Sequence, residues 1–134
     1  MERSLVASFA VPAERILVVE DNDDLRGLYK IALRTAGFQV SQAADGLTAL
    51  RAIEADAPDL VVLDLSLPLI SGFEVQRELL QLQRRHIPVV VVTGLPPERT
   101  RGLNVSRVLH KPVMPEALVR TVVECLAGRR SARA

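Results

Sequence analysis

The 134-residue chain has no tryptophan, one tyrosine, three phenylalanines and one cysteine. Any core must therefore be built from Val, Leu, Ile and Ala. The lone Cys125 excludes an internal disulfide, which fits a reducing cytoplasm, the expected location. A formal net charge of +1 leaves no excess of either sign to favour nucleic acid or an anionic membrane. No apolar run approaches the roughly twenty residues that span a bilayer. Before Pro12 the apolar stretch over residues 5–11 is short and Glu2 offsets Arg3, so a secretory leader is not expected. Residues 1–13 read instead as an N-terminal arm or linker. What the chain does have is a hydrophobic share of 49%, ample for one core, and a length that fits one domain.

Arg15-Ile16-Leu17-Val18-Val19 is a β-branched run ending in acids, as a buried parallel strand does. Leu25, Leu28, Tyr29, Ala32 and Leu33 follow at helical spacing, with Gly37 placed to end the helix. Phe38-Gln39-Val40 reads as a short strand. Leu47, Leu50 and Ile53 mark a helix that starts near Asp45-Gly46 and stops before Pro58. Asp59-Leu60-Val61-Val62-Leu63 is a second strongly apolar strand. A loop through Pro68 and Ser71-Gly72 precedes a helix striped by Val75, Leu79 and Leu82. Ile87-Pro88-Val89-Val90-Val91-Val92 is the next strand, with Pro88 tolerable only near its start. The helical pattern between Glu98 and Leu103 is weak, and Gly102 weakens it further. Arg107-Val108-Leu109 is a brief last strand. Pro115 opens a final helix striped by Val119, Val122, Val123 and Leu126. Gly128 is expected to close it, leaving 128–134 as a solvated basic tail. Strands alternating with helices predict a doubly wound α/β domain over 14–127 with a parallel sheet covered on both faces.

In such a sheet, ligands bind where the carboxyl ends of the strands meet. Four runs end there with residues suited to phosphate: Glu20-Asp21, Asp64, Thr93-Gly94 and Lys111-Pro112. Three carboxylates cannot share a pocket, all ionised, without compensation. A divalent cation removes the conflict, and an all-oxygen donor set suits Mg2+. Lys111 and Thr93 add a positive charge and a hydroxyl for an anion held by the metal. The set fits phosphoryl transfer, where positioning and charge neutralisation dominate. Asp64, central in the sheet, is the best candidate to carry a phosphoryl group as an acyl phosphate.

These residues resemble the receiver domain of two-component response regulators, over about residues 15–126. Ile16-Leu17-Val18-Val19-Glu20-Asp21-Asn22 looks like the acidic-pair motif, and Asp59-Leu60-Val61-Val62-Leu63-Asp64 with Pro68 and Gly72 like the phosphoacceptor motif. Thr93 and Lys111-Pro112 match the hydroxyl and lysine positions. The resemblance implies a flavodoxin-like five-stranded parallel sheet of order 2-1-3-4-5. It implies a phosphorylation-gated signalling domain that is not an enzyme acting on other substrates. Asp64 would accept the phosphoryl group from a histidine kinase or a histidine phosphotransfer protein, and Thr93 and Lys111 would bind its oxygens. Mg2+ would be held by Asp21 and Asp64, by Glu20 through water and by the Ser66 backbone carbonyl. The Lys111–Pro112 bond would be cis. Output would pass through protein contacts, without direct nucleic-acid binding or membrane insertion, and no DNA-binding module fits after Ala127.

Two departures from the family pattern bear on output. An aromatic residue often lies three positions before the lysine; here the position is Val108. The segment between Thr93 and Lys111 is short, and Pro96-Pro97 with Gly102 predict a fourth helix that is shortened, irregular or missing. Dimerisation through the usual fourth-helix, last-strand and last-helix face is therefore not expected. A short fourth segment with His-Lys-Pro is also similar to the receivers of hybrid histidine kinases.

Each residue also has a plainer reading. Asp21, Asp23 and Asp24 suit a helix start; Thr93 suits a strand end and Lys111 a solvated surface. His110 lacks metal-binding partners and reads as incidental, and Cys125 reads as packing. Three rival functions remain. A phosphohydrolase of the haloacid-dehalogenase type would use Asp21-Asn22-Asp23, though only Glu116 and Glu124 follow Lys111. An interaction module would have stopped accepting phosphate. A flavin carrier would need a Ser/Thr/Gly-rich loop after the first strand, and none is present.

Overall fold

The structure is a computed structural model in which residues 13–81 and 86–133 are described. Five parallel strands alternate with helices: β1 (Arg15–Val19), α1 (Asp23–Thr35), β2 (Gln39–Ala43), α2 (Gly46–Ala55), β3 (Leu60–Leu63), α3 (Gly72–Gln81), β4 (Val89–Thr93), a single 3-10 turn (Pro97–Arg99), β5 (Arg107–His110) and α4 (Pro115–Arg133). The sheet order is β2-β1-β3-β4-β5. This is the expected flavodoxin-like arrangement.

Alternation along the strands divides the core into two layers. Leu17, Val19, Val61, Leu63, Val89 and Val91 pack with Ala49, Ile53, Val75 and Leu79 of α2 and α3. Ile16, Val18, Leu60, Val62, Val90 and Val92 pack with Tyr29 and Leu33 of α1 and with Leu118, Val122 and Leu126 of α4. β1, β3 and β4 are covered on both faces and nearly all apolar, so they are the strands most legible in sequence.

Local chemistry sets the helix ends. Asn22 caps α1 by accepting from the Leu25 N–H at 2.9 Å, and Asp45 caps α2 by accepting from the Thr48 N–H at 2.7 Å. Gly37 follows α1 at φ 102°, a left-handed conformation open to glycine.

Several expectations need correction. β2 begins after Phe38 and extends to Ala43; it is an edge strand, mostly exposed, with no long apolar run to mark it. Leu28 belongs to the expected α1 stripe but is 43% exposed. In α4 the buried stripe is Leu118, Val122 and Leu126, whereas Val123 is exposed. Residues 118, 122 and 126 follow the i, i+4 ridge that the helix turns toward the core. The same helix continues through Gly128 to Arg133 rather than stopping at Gly128. A lone helical glycine weakens a helix by only about 1 kcal/mol and does not oblige it to end. The Arg129 guanidinium reaches back to the Asp59 carbonyl at 2.6 Å and ties this last part to the body. Residues 1–12 of the expected arm, Leu82 of the expected α3 stripe and Ala134 of the expected tail lie outside the described residues. Between β4 and β5 only the 3-10 turn forms, as Pro96-Pro97 and Gly102 predict.

Candidate functional site

β1 and β3 are neighbours with Val19 opposite Leu63, so the residues that follow each strand emerge side by side. The Asp64 N–H donates to the Val19 carbonyl at 3.0 Å and carries the pairing one residue further. One carboxylate oxygen each from Glu20, Asp21 and Asp64 lie within 4.8 Å of one another. Glu20 and Asp64 are buried, at 2% and 4% exposure, while Asp21 faces solvent. Glu20 is fixed by the turn into α1, where the Asn22 N–H donates to its Oε2 at 3.1 Å. Arg26 donates to the Glu20 carbonyl at 2.9 Å and pairs with Asp23 at 2.7 Å. Asp23 is therefore engaged on the helix, as its plainer reading holds.

Lys111 enters from the end of β5. Its N–H donates to the Thr93 carbonyl at 2.7 Å, and the Lys111–Pro112 peptide is cis, as the resemblance implies. The ammonium Nζ stands 2.9 Å from Glu20 Oε1 and 3.3 Å from Asp64 Oδ2. The Ser66 N–H donates to Asp64 Oδ1 at 3.1 Å. Thr93, wholly buried at the end of β4, accepts the Leu95 N–H on its hydroxyl at 3.0 Å. Gly72 lies against the backbone of Asp64 and Leu65. A Cβ there would lie 2.2 Å from the Asp64 carbonyl oxygen and 2.6 Å from Leu65 Cα, so α3 starts against the strand end only because residue 72 has no side chain.

The electrostatics are those of an under-compensated acidic pocket. Burial is the chief cause that raises the Glu20 pKa above 4.5; Lys111 and the Asn22 N–H oppose it, and the Asp64 charge adds to it. For Lys111 burial is the largest single influence and acts downward, but Glu20 and Asp64 together outweigh it and hold the ammonium above its usual value. One ammonium reaches two of the three carboxylates, Glu20 and Asp64. Glu20 Oε1, though close to Nζ, is buried with no hydrogen bond directed at it. A buried carboxylate oxygen with a single ammonium near it, beside two more carboxylates, is the environment a hard divalent cation and its waters satisfy. The donor set therefore fits Mg2+.

Glu20, Asp21, Asp64 and Lys111 are thus brought together, with Thr93 and Ser66 bonded beside them. Of the two later acids weighed for a hydrolase, Glu124 instead pairs with Arg107 at 3.3 Å and Glu116 lies in the first turn of α4. Reading the residues alone missed Asn22 and Arg26 as supports of Glu20, although the Asp23/Arg26 spacing of three was visible. His110, read as incidental, lies with Nδ1 3.0 Å from the Leu95 carbonyl.

Residues 16–123 match the family pattern of the response regulator receiver domain. The chain is 38% identical over 129 residues to the alkaline phosphatase synthesis transcriptional regulatory protein SphR of Synechococcus elongatus, covering 87% of this chain and 50% of that protein. It is 40% identical over 104 residues to the response regulator PleD of Caulobacter vibrioides, covering 74% of this chain and 23% of that protein. The chain spans about half, or less, of the length of these relatives. Among solved structures, a CheY-like receiver domain protein from Methanospirillum hungatei superimposes with a TM-score of 0.84 at 26% identity, covering 90% of this chain and 98% of that one. The receiver domain of a signal transduction histidine kinase from Syntrophus aciditrophicus gives 0.80 at 28% identity, covering 87% and 92%. With its pattern, strand order and strand-end acids all in agreement, the chain belongs to the response regulator receiver domain family of two-component signalling proteins.

Proposed function

We propose that Asp64 is the phosphoacceptor of this receiver and that the phosphoryl group comes from the phosphohistidine of a histidine kinase or histidine phosphotransfer protein. The observation that carries the reading is the shared pocket of Glu20, Asp21 and Asp64 with Lys111 on two of the three. An Asp64 carboxylate oxygen attacks phosphorus, the P–N bond breaks, and the histidine ring leaves with the electron pair. Asp64 Oδ1 is held by the Ser66 N–H and Oδ2 by Lys111. Lys111 is placed to follow the transferred group and bind its oxygens, and Thr93 has a proton free to donate to them. Mg2+, when bound, neutralises charge on the phosphoryl oxygens. Asp21 and Asp64 would hold it by their side chains, Glu20 through water and Ser66 by its carbonyl.

Phosphorylation gives Thr93 and Lys111 new anionic partners and so shifts the balance between two conformations. We read the output as a contact with another protein, in the cytoplasm, with no direct binding of nucleic acid by this domain. No helix among the described residues is long and apolar enough to cross a membrane. The test is incubation with Mg2+ and acetyl phosphate or phosphoramidate, followed by intact mass. A labile phosphoryl adduct should form on the wild type and be absent from Asp64→Asn. Turnover of a phosphomonoester dependent on Asp21 would replace this reading with a hydrolase, and no adduct at all would leave an interaction module.

A further inference from the structure

His110 is the exposed last residue of β5, opposite Thr93 in the β4–β5 register and next in sequence to Lys111. Its ring nitrogen Nδ1 lies 3.0 Å from the Leu95 carbonyl oxygen. The N–H of the same Leu95 donates to Thr93 Oγ1 at 3.0 Å. The Lys111 N–H donates to the Thr93 carbonyl at 2.7 Å and closes a ring of bonds from β4 through the loop to β5. A carbonyl oxygen only accepts, so Nδ1 must carry the proton in this contact. A hydroxyl has one proton and two lone pairs. With a lone pair occupied by the Leu95 N–H, Thr93 keeps its proton for an acceptor elsewhere.

We propose that His110 is a positioning residue for phosphoryl binding: by holding the Leu95 carbonyl it fixes the Leu95 N–H, which orients the Thr93 hydroxyl as a donor to the phosphoryl group on Asp64. The inference rests on the phosphoacceptor reading above. The loop after Thr93 has no helix to brace it, only the 3-10 turn at Pro97–Arg99; besides the packing of Leu95 against the core, it has the side-chain bond from β5. Coupling is reciprocal. A phosphoryl group that draws the Thr93 proton toward Asp64 therefore stiffens Leu95 and the exposed crossover beyond it.

Nitrogen-15 NMR of the ring in the free protein, at a pH where imidazole is neutral, reads the tautomer. The expected result is a proton on Nδ1; a proton on Nε2 overturns the proposal. Beryllofluoride with Mg2+ then serves as the phosphoryl mimic. One neutral hydrogen bond contributes about 1 kcal/mol, equivalent to about a fivefold change in affinity. His110→Ala is expected to bind beryllofluoride about fivefold more weakly than wild type while binding Mg2+ alone equally well. His110→Asn places an amide N–H at the reach of Nδ1 and should restore affinity. His110→Gln places it at the reach of Nε2 and should not. Unchanged affinity in His110→Ala, or rescue by Gln in preference to Asn, overturns the proposal. If wild type fails to bind beryllofluoride, the phosphoacceptor reading falls, and the tautomer still decides whether His110 holds Leu95.

Discussion

Glycine to alanine at two helical positions should change stability in opposite directions. In α1, a Cβ on Gly27 would meet nothing within 4 Å. Alanine there gains helix propensity alone, about 1 kcal/mol. At Gly72, the first residue of α3, the same methyl would lie 2.2 Å from the Asp64 carbonyl oxygen and 2.6 Å from Leu65 Cα. Ordinary contact begins near 3.4 Å, so the helix start or the strand end must move by about 1 Å. Both obstacles are backbone, and no rotamer change relieves them. Overpacking of this kind costs about 1–3 kcal/mol. The two variants should therefore differ by about 2–4 kcal/mol in unfolding free energy, with Gly27→Ala above wild type and Gly72→Ala below. Urea unfolding followed by far-UV circular dichroism measures this, and unchanged m-values would show that a shifted midpoint is a change in stability. The obstructing atoms belong to Asp64 and its neighbour, so Gly72→Ala should also slow adduct formation with acetyl phosphate, whereas Gly27→Ala should not. Gly72→Ala as stable as wild type would refute the close approach of α3 to the strand end.

Cation affinity should rise with pH from about 4.5 upward, because the Glu20 carboxyl, its pKa raised above 4.5 chiefly by burial, holds a proton that competes with the metal. Calorimetric titration of Mg2+ across that range checks it, and an affinity independent of pH there would contradict it. For the cation-free fold the sign is opposite. A raised carboxyl contributes stability below its unfolded value that is lost as pH rises through its folded value, so this loss should disappear in Glu20→Gln. The protein should not dimerise through the face of β5 and α4 when phosphorylated. Sedimentation with and without beryllofluoride reads this, and a dimer abolished by changes at half-buried Val119 or exposed Val123 would be the contrary result.

The strand-end chemistry and the central strands were legible in the residues alone. Leu60–Leu63 and Val89–Thr93 are buried on both faces, and a strand that touches no water must be apolar throughout. The shortened or irregular helical segment between β4 and β5 was legible too, because paired prolines and a glycine act locally. The extent of β2 was not legible in that way, because its polar residues become a strand by pairing with β1. The end of α4 is also tertiary: the chain stays helical past Gly128, and Arg129 is bonded to Asp59, 70 residues away in sequence. The roles of Arg26 on Glu20 and of His110 on Leu95 were hidden for the same reason. A side chain's type and spacing give its chemistry and its helical or strand face. Which atom it meets across the chain is settled only when the sheet brings distant ends together.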